Sequence, residues 1–147
     1  MVEIREEHYN REFADEIEEL QHLHAREVDQ LRFPTKINHI AYIMASNRGQ
    51  LATIAVRDEG KLVGYIGFIV GEDWNTEAYV AKEAGMYLKK EYRKGRTAIK
   101  MIKFSEKVLK EKGVDAVLMM SSAEKKVGPL YEYLKYREVE TSYIKEL

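Results

Sequence analysis

Two β-forming runs, Leu51 to Val56 and Leu62 to Val70, flank the tetrapeptide Asp58-Glu59-Gly60-Lys61. Branched and aromatic residues favour strands, and a short polar segment with a glycine between two such runs reads as a hairpin turn. The chain ahead of this hairpin has a different period. From Asn10 to about Gln30, apolar residues fall at Phe13, Ile17, Leu20 and Val28, the spacing of one helix face with acids opposite. Phe33-Pro34 interrupts that helix, because the residue before a proline disfavours the helical region. Thr35 is then expected to cap a second helix with the stripe Ile40, Ile43 and Met44, ending at Gly49. A short strand is expected over Val2 to Arg5.

Beyond the hairpin, residues 71–83, with Gly71, Asp73 and Asn75, read as a loop, and Gly85-Met86-Tyr87-Leu88 as a third strand. Ala98, Met101, Ile102, Val108 and Leu109 set one face of a helix from about Thr97 to Lys112, and Gly113 suits its C-terminal cap. Val114 to Met120 is apolar enough for a central strand. Gly128-Pro129 opens a short helix through Leu134, and the alternation of Val139, Thr141 and Tyr143 predicts a closing strand. No internal repeat, low-complexity tract or linker interrupts residues 1–147, so a single mixed α/β domain is expected.

With 147 residues the chain is large enough to bury a core without staples, and 45% hydrophobic with 33% charged residues is ordinary for a soluble globular protein. There is no cysteine, which excludes disulfides, thiolate metal sites and a cysteine nucleophile. No apolar run resembles a signal peptide or spans a bilayer, so cytoplasmic residence without membrane association is expected. His8, His22, His24 and His39 do not form HExxH, and no metal is expected. GxSxG, GxxxxGK[ST] and GxGxxG are absent as well, which argues against a serine-hydrolase elbow, nucleotide hydrolysis and dinucleotide binding.

The net charge of −1 is unevenly spread. Residues 1–30 hold ten acids against three bases, −7, which leaves +6 for the remainder. The acids form either a solvated helix face or a lip that attracts a cationic substrate. The bases concentrate where a helix begins: Lys89, Lys90, Arg93, Lys94, Arg96, Lys100 and Lys103 precede or open it, with Glu91 the one acid before Glu106. A helix N-terminus carries partial positive charge, so cations there are unfavourable unless something negative sits among them. Free amides, the dipole and a glycine that lets a backbone approach closely together make a phosphate site. Nucleic acid is a poorer source of that phosphate, since the total charge is near neutral and Tyr92 is the one aromatic residue between Lys89 and Lys103.

In the turn Arg93-Lys94-Gly95-Arg96-Thr97-Ala98 the chain resembles the GNAT N-acetyltransferase superfamily, whose [Q/R]xxGx[G/A] turn holds the pyrophosphate of acetyl-CoA on backbone amides. Arg93 and Ala98 match the outer positions, Arg96 replaces the central glycine, and Gly95 sits one place early. Leu62-Val63-Gly64-Tyr65 resembles the family's LVGY strand, and Tyr87 to Arg93 its YVxPEYR approach. Lys112-Gly113-Val114-Asp115 is similar to its helix-to-strand turn. Leu130-Tyr131-Glu132-Tyr133-Leu134-Lys135-Tyr136 resembles LYEKLGF, with Lys135 for the glycine. The likeness covers roughly residues 50–147, and its RxGRxA turn and VETxYxKEL ending look most like bacteriophage-encoded members, which would act in the host cytoplasm.

The resemblance implies a layered α/β fold, a mixed and mostly antiparallel twisted sheet flanked by helices. It implies acetyl transfer from acetyl-CoA to the amine of a small molecule, protein lysine or N-terminus, and often a homodimer. The amine must first lose a proton, because an ammonium with a pKa of ~10.4 cannot attack. The oxyanion donor is assigned to backbone N–H near Met86, Tyr87 and Leu88, and the proton for the departing thiolate to Tyr131. His24 and Glu27, three apart and on one helix face, are candidates for relaying the amine proton. Glu72, Glu77 and Glu83 are rivals. The altered turn also fits a GNAT-shaped module without catalysis, and a basic nucleic-acid binder remains a further alternative.

Overall fold

The computed structural model describes residues 1–28, 31–123 and 126–147. Its elements are β1 (Val2–Glu6), α1 (Arg11–Glu27), α2 (His39–Asn47), β2 (Leu51–Asp58), β3 (Lys61–Glu72), β4 (Tyr79–Leu88), a 3-10 turn (Lys90–Tyr92), α3 (Thr97–Glu111), β5 (Ala116–Leu118) and α4 (Gly128–Tyr133). The sheet runs β1-β2-β3-β4-β5; the first four strands are antiparallel, and α3 carries the chain across to a parallel β5. The β2–β3 hairpin turns through Glu59 and Gly60 with φ of 49° and 79°, the left-handed pair that matches strand twist.

Side chains alternate along each strand, so the sheet separates two cores. On one face Ile54, Val56, Ile66, Phe68, Val70 and Leu88 pack against Met101, Val108 and Leu109 of α3. On the other, Ala55, Leu62, Tyr65 and Tyr87 meet Tyr9 and the Phe13, Ile17 and Leu20 stripe of α1. Arg57, 6% exposed at a register shift in β2, pins this second layer. Its guanidinium donates to both oxygens of Glu7 (2.7 and 2.8 Å) and of Glu16 (2.7 and 2.9 Å), and to the Gly60 carbonyl. Hydrogen bonds to charged groups of this kind contribute about 1.5–3 kcal/mol. Gly64 lets β3 and β4 close up: a Cβ there would lie 2.7 Å from Leu88 Cδ1 and 2.9 Å from the Tyr87 carbonyl.

The structure departs from the sequence expectation at five places. α1 is capped by the Asn10 side chain and ends at Glu27; Gln30 lies outside the described residues. α2 starts at His39 with Asn38 as its cap, its side chain accepting from Ala41 N–H, so Thr35 has no capping role. The loop expected over 71–83 shrinks to 73–78, because β3 and β4 pair out to Glu72↔Tyr79. Cross-strand pairing outweighs the turn propensity of Gly71.

The other two departures concern the end of the chain. The strand expected over 114–120 is short and lies at the sheet's end rather than its centre, since Met120 N–H donates to the Glu83 carboxylate (3.2 Å) instead of a ladder. The closing strand is absent from described residues 136–147: Val139 is 59% and Tyr143 93% exposed, and an alternating pattern makes a strand only where one face can be buried.

Candidate active site

α3 begins without help from its own side chains. Arg96 sits at the cap with φ −110°, no side chain caps the helix, and its first turn holds no acid. The first helical hydrogen bond is Lys100 N–H to the Arg96 carbonyl (2.9 Å), so the amides of Thr97, Ala98 and Ile99 precede the ladder. Gly95 has φ 88°, and a Cβ placed there would touch nothing within 4 Å. Lys94, Gly95 and Arg96 are exposed around this end. The arrangement meets the requirements of a phosphate site: unpaired amides, a positive dipole end, surrounding cations and open approach. Arg96 takes a φ that any residue adopts, so the left-handed residue has simply moved to Gly95.

β4 leads into this turn with one edge open. β5 pairs only with Val80, Ala81 and Lys82. Among the described residues, 83–88 have β3 on one side and no strand on the other. Half the amides of an antiparallel strand point to each edge, so the stretch containing Met86, Tyr87 and Leu88 presents donors and acceptors to the gap. The register also shifts here: Gly67 pairs with Gly85 and Phe68 with Glu83, leaving Ala84 as the extra residue. Such a bulge re-aims the side chains around it.

Glu83 and Tyr131 meet on the α3 side of that edge. The Tyr131 hydroxyl donates to the Met120 carbonyl (2.7 Å) and lies 3.3 Å from Glu83 Oε1. Burial and the neighbouring carboxylate raise the Tyr131 pKa far above the phenol range. Burial likewise raises Glu83, against the lowering effect of its bonds from Met120 and Tyr131. Of the three acids weighed as rivals, Glu72 and Glu77 are exposed on the hairpin, and Glu83 is beside Tyr131.

His24 occupies the α1 side. Its Nδ1 lies 2.9 Å from the Tyr65 hydroxyl, its ring centroid 5.6 Å from that of Tyr87, and a Cβ on Gly85 would be 3.8 Å from its Cε1. Burial lowers its pKa below the ordinary histidine value; Glu27 opposes this and Arg93 adds to it. Glu27 turns to Arg93, whose Nη2 donates to both carboxylate oxygens (3.0 and 2.8 Å). Arg93 Nε donates to the Leu88 carbonyl (2.6 Å), and the guanidinium sits 5.2 Å over the Tyr87 ring. The first residue of the basic turn therefore ties the end of β4 to the end of α1.

The structure thus gathers His24, Glu27, Tyr87, Leu88 and Arg93 into one cluster, and sets Tyr131 apart on the opposite face with Glu83. Sequence reasoning missed Tyr65 as the partner of His24 and Glu83 as the partner of Tyr131. The glycines at 67 and 85 were the available signal, since glycine within a strand marks a bulge or a close approach. Half of the ten acids in residues 1–30 pair with residues beyond that segment: Glu6 with Lys112, Glu7 and Glu16 with Arg57, Glu18 with His39 and Glu27 with Arg93. Among the described residues no cluster of His, Asp or Glu could hold a metal ion, and no helix is long and apolar enough to cross a membrane.

Comparison with known proteins identifies the family to which this open-edged sheet and uncapped helix belong. The model of the Acetyltransferase (GNAT) family matches residues 6–135, and the chain belongs to that family, whose members use acetyl-CoA. Among solved structures, an aminoglycoside acetyltransferase from an uncultured soil metagenomic sample superposes with a TM-score of 0.77 at 12% identity, over 100% of this chain and 99% of that one. A ribosomal-protein-alanine N-acetyltransferase from Brucella melitensis biovar Abortus 2308 gives 0.73 at 18% identity, over 100% and 99%. A predicted acetyltransferase with acetyl-CoA from Clostridium acetobutylicum gives 0.72 at 12%, over 99% and 96%. At such identities these likenesses establish the shared fold. No curated protein matches the chain.

Proposed function

We propose that this chain is a single-domain, cytoplasmic N-acetyltransferase that moves an acetyl group from acetyl-CoA to an amine by direct attack. The observation that carries the reading is the open edge of β4 at 83–88, with His24 on one face, Tyr131 on the other and the uncapped α3 terminus at its end. Backbone amides of Thr97 and Ala98, with Gly95 giving access and Lys94 and Arg96 supplying charge, hold the pyrophosphate. Arg93 positions rather than binds, because its guanidinium is engaged by Glu27 and the Leu88 carbonyl. An N–H on the free edge of Met86 to Leu88 receives the thioester oxygen as charge develops on it.

Acetyl-CoA supplies an activated acyl group, and the protein manages two protons. A neutral imidazole takes the first from the amine as the N–C bond forms and the C–S bond breaks. This role requires the tautomer in which Nδ1–H donates to the Tyr65 hydroxyl (2.9 Å) and the lone pair lies on Nε2. Tyr131 gives the second proton to the leaving sulfur; its phenol, with an ordinary pKa of ~10, is protonated at neutral pH, and burial holds that proton more tightly until the thiolate forms. The motif departures do not argue for lost catalysis. Lys135 adopts φ 71°, the conformation the family's glycine would take, and Gly95 supplies the turn that Arg96 does not.

Calorimetry with acetyl-CoA, followed by thiol release with a panel of amines, tests the proposal. Binding together with turnover is expected. Binding without turnover by any amine would leave a cofactor-binding module, and no binding would remove the acetyl-CoA reading altogether.

A further inference from the structure

Where β5 ends, β4 holds the chain opposite with a side chain instead of its backbone. The parallel ladder stops at Lys82↔Leu118, and two residues on, Met120 N–H donates to Glu83 Oε1 (3.2 Å). Glu83 pairs with Phe68 of β3, which is fully buried in the α3-side core, and is itself partly buried. Among the described residues no cation pairs with its carboxyl or offsets its burial. A carboxylate so placed loses hydration without gaining a counter-ion, which favours the neutral acid.

The hydroxyl of Tyr131 makes the same demand on geometric grounds. A phenol carries one proton, and that of Tyr131 goes to the Met120 carbonyl at 2.7 Å. The 3.3 Å approach of its oxygen to Glu83 Oε1 then sets lone pairs against each other, unless the carboxyl carries a proton and donates it to the phenol. Protonation of Glu83 turns that contact into a hydrogen bond. The other titratable neighbours leave the pair to itself. Tyr136, its ring 5.9 Å from that of Tyr131, donates to Glu106 (2.7 Å), and Tyr65 feels the Glu83 charge only from the far face of the sheet.

A proton on Glu83 answers a mismatch in acid strength. An ordinary phenol at ~10 gives its proton to a thiolate at ~8.5 against a gradient of about 30-fold. Burial and the carboxyl beside it make Tyr131 a weaker acid still. Acting alone, it would also be left as a phenolate cut off from water. A carboxylic acid, ordinarily at ~4.3, starts about four pK units below the thiol. Burial can raise Glu83 and still leave its proton transfer downhill.

Resting on the acetyl-transfer reading above, we propose that Glu83 holds a proton in the resting protein and passes it to Tyr131 as Tyr131 gives its own to the departing sulfur. The electron pair of the broken C–S bond stays with sulfur, the phenol proton forms the S–H bond, and the carboxyl proton forms the new phenol O–H. Negative charge ends on Glu83, where Met120 N–H already donates, and solvent returns the proton before the next turnover. Glu83 touches no reacting atom and acts through Tyr131 alone.

Carbon-13 NMR of the side-chain carboxyls, recorded without acetyl-CoA, tests the resting state. The signal that Glu83→Gln removes is expected at the position of a neutral acid at neutral pH, moving to the carboxylate position only as pH rises. In single-turnover acetyl transfer, Glu83→Gln should lower the rate by about 10- to 100-fold, with acetyl-CoA affinity within about twofold by calorimetry. The sign of the pH dependence separates this role from that of a base. A group that works protonated loses rate as pH rises through its pKa, so the wild type should show an alkaline limb that Glu83→Gln lacks. Glu83→Asp, an acid one methylene shorter, should keep the limb at an intermediate rate. Added to Tyr131→Phe, Glu83→Gln should cost less than a further twofold, because nothing remains for it to supply. A carboxylate signal at neutral pH, removal of the acid limb instead, or independent losses from the two variants overturns the proton store. Absent acetyl-CoA binding would bring down the transfer reading, while the NMR signal would still report the proton on Glu83.

Discussion

The two faces of β4 beyond Lys82 carry ionisable groups of opposite use. On the α1 side His24 lies among Tyr65 and Tyr87, and on the α3 side Tyr131 lies against Glu83. Burial acts on both and pushes them apart: it lowers His24, which keeps a lone pair, and raises Tyr131, which keeps its proton. In the proposed mechanism the first accepts a proton and the second donates one, on either side of the same strand edge. The extra residue Ala84 makes this possible. With strict alternation Glu83 and Gly85 would share a face; the shift between Gly67 and Phe68 sends Glu83 to the Tyr131 side.

The sharpest break in this comparison is Tyr131→Phe. Loss of a general acid should lower kcat by about 100-fold or more, with acetyl-CoA affinity within about twofold by calorimetry. Native circular dichroism with unchanged turnover would remove Tyr131 from the chemistry. On the other face, His24→Ala should cost about 10- to 100-fold in kcat. The sign of its pH dependence follows from burial. The imidazolium is disfavoured, so the base remains competent below the ordinary histidine pKa of about 6.5, and the acid limb of the wild-type profile lies under that value. His24→Ala should erase that limb. An unshifted profile would point instead to Glu83, to be checked with Glu83→Gln.

The tether between the end of β4 and the end of α1 is expected to matter for stability. Arg93→Ala leaves Glu27 facing a partly buried gap and should cost about 1.5–3 kcal/mol, the usual range for hydrogen bonds to charged groups. Urea unfolding of the single and double variants of Glu27 and Arg93 gives their coupling, and additive losses would show that the pair is not a unit.

The sequence revealed most of what local rules govern and little of what lies across the sheet. The Asp58 to Lys61 turn, the α1 and α3 stripes and the cation-rich start of α3 were legible because periodicity, turn chemistry and the helix dipole are local. The engagement of Arg93 by Glu27 was not, because they are 66 positions apart and only the fold brings them together. The extension of β4 back to Tyr79 was hidden for the same reason, since β3 supplies the partners that Gly71 and Asn75 seem to deny. Tyr143 was misread because alternation says nothing about whether a sheet edge waits to be paired. Tyr131 was singled out by its motif, yet its pairing with Glu83 depends on the bulge at Ala84, which no spacing rule announces.

The smallest expected effect probes how His24 keeps its lone pair turned to the acceptor. Tyr65→Phe retains the ring packing against Tyr87 and removes the 2.9 Å contact to Nδ1. A buried Nδ1–H would then lack its acceptor, at about 1–3 kcal/mol in stability. The ring can relieve that loss by moving its proton to Nε2, which puts the lone pair on the wrong nitrogen. A fall in kcat of about 3- to 10-fold should follow, well short of His24→Ala because the imidazole remains and both tautomers stay populated. Nitrogen-15 NMR of the imidazole reads the tautomer directly, and the Nδ1 and Nε2 shifts should move toward each other's wild-type positions. If those shifts and the turnover match the wild type, Tyr65 only packs. The neutral state of His24 would then rest on burial alone, with nothing comparable to the Met120 carbonyl that orients Tyr131 opposite.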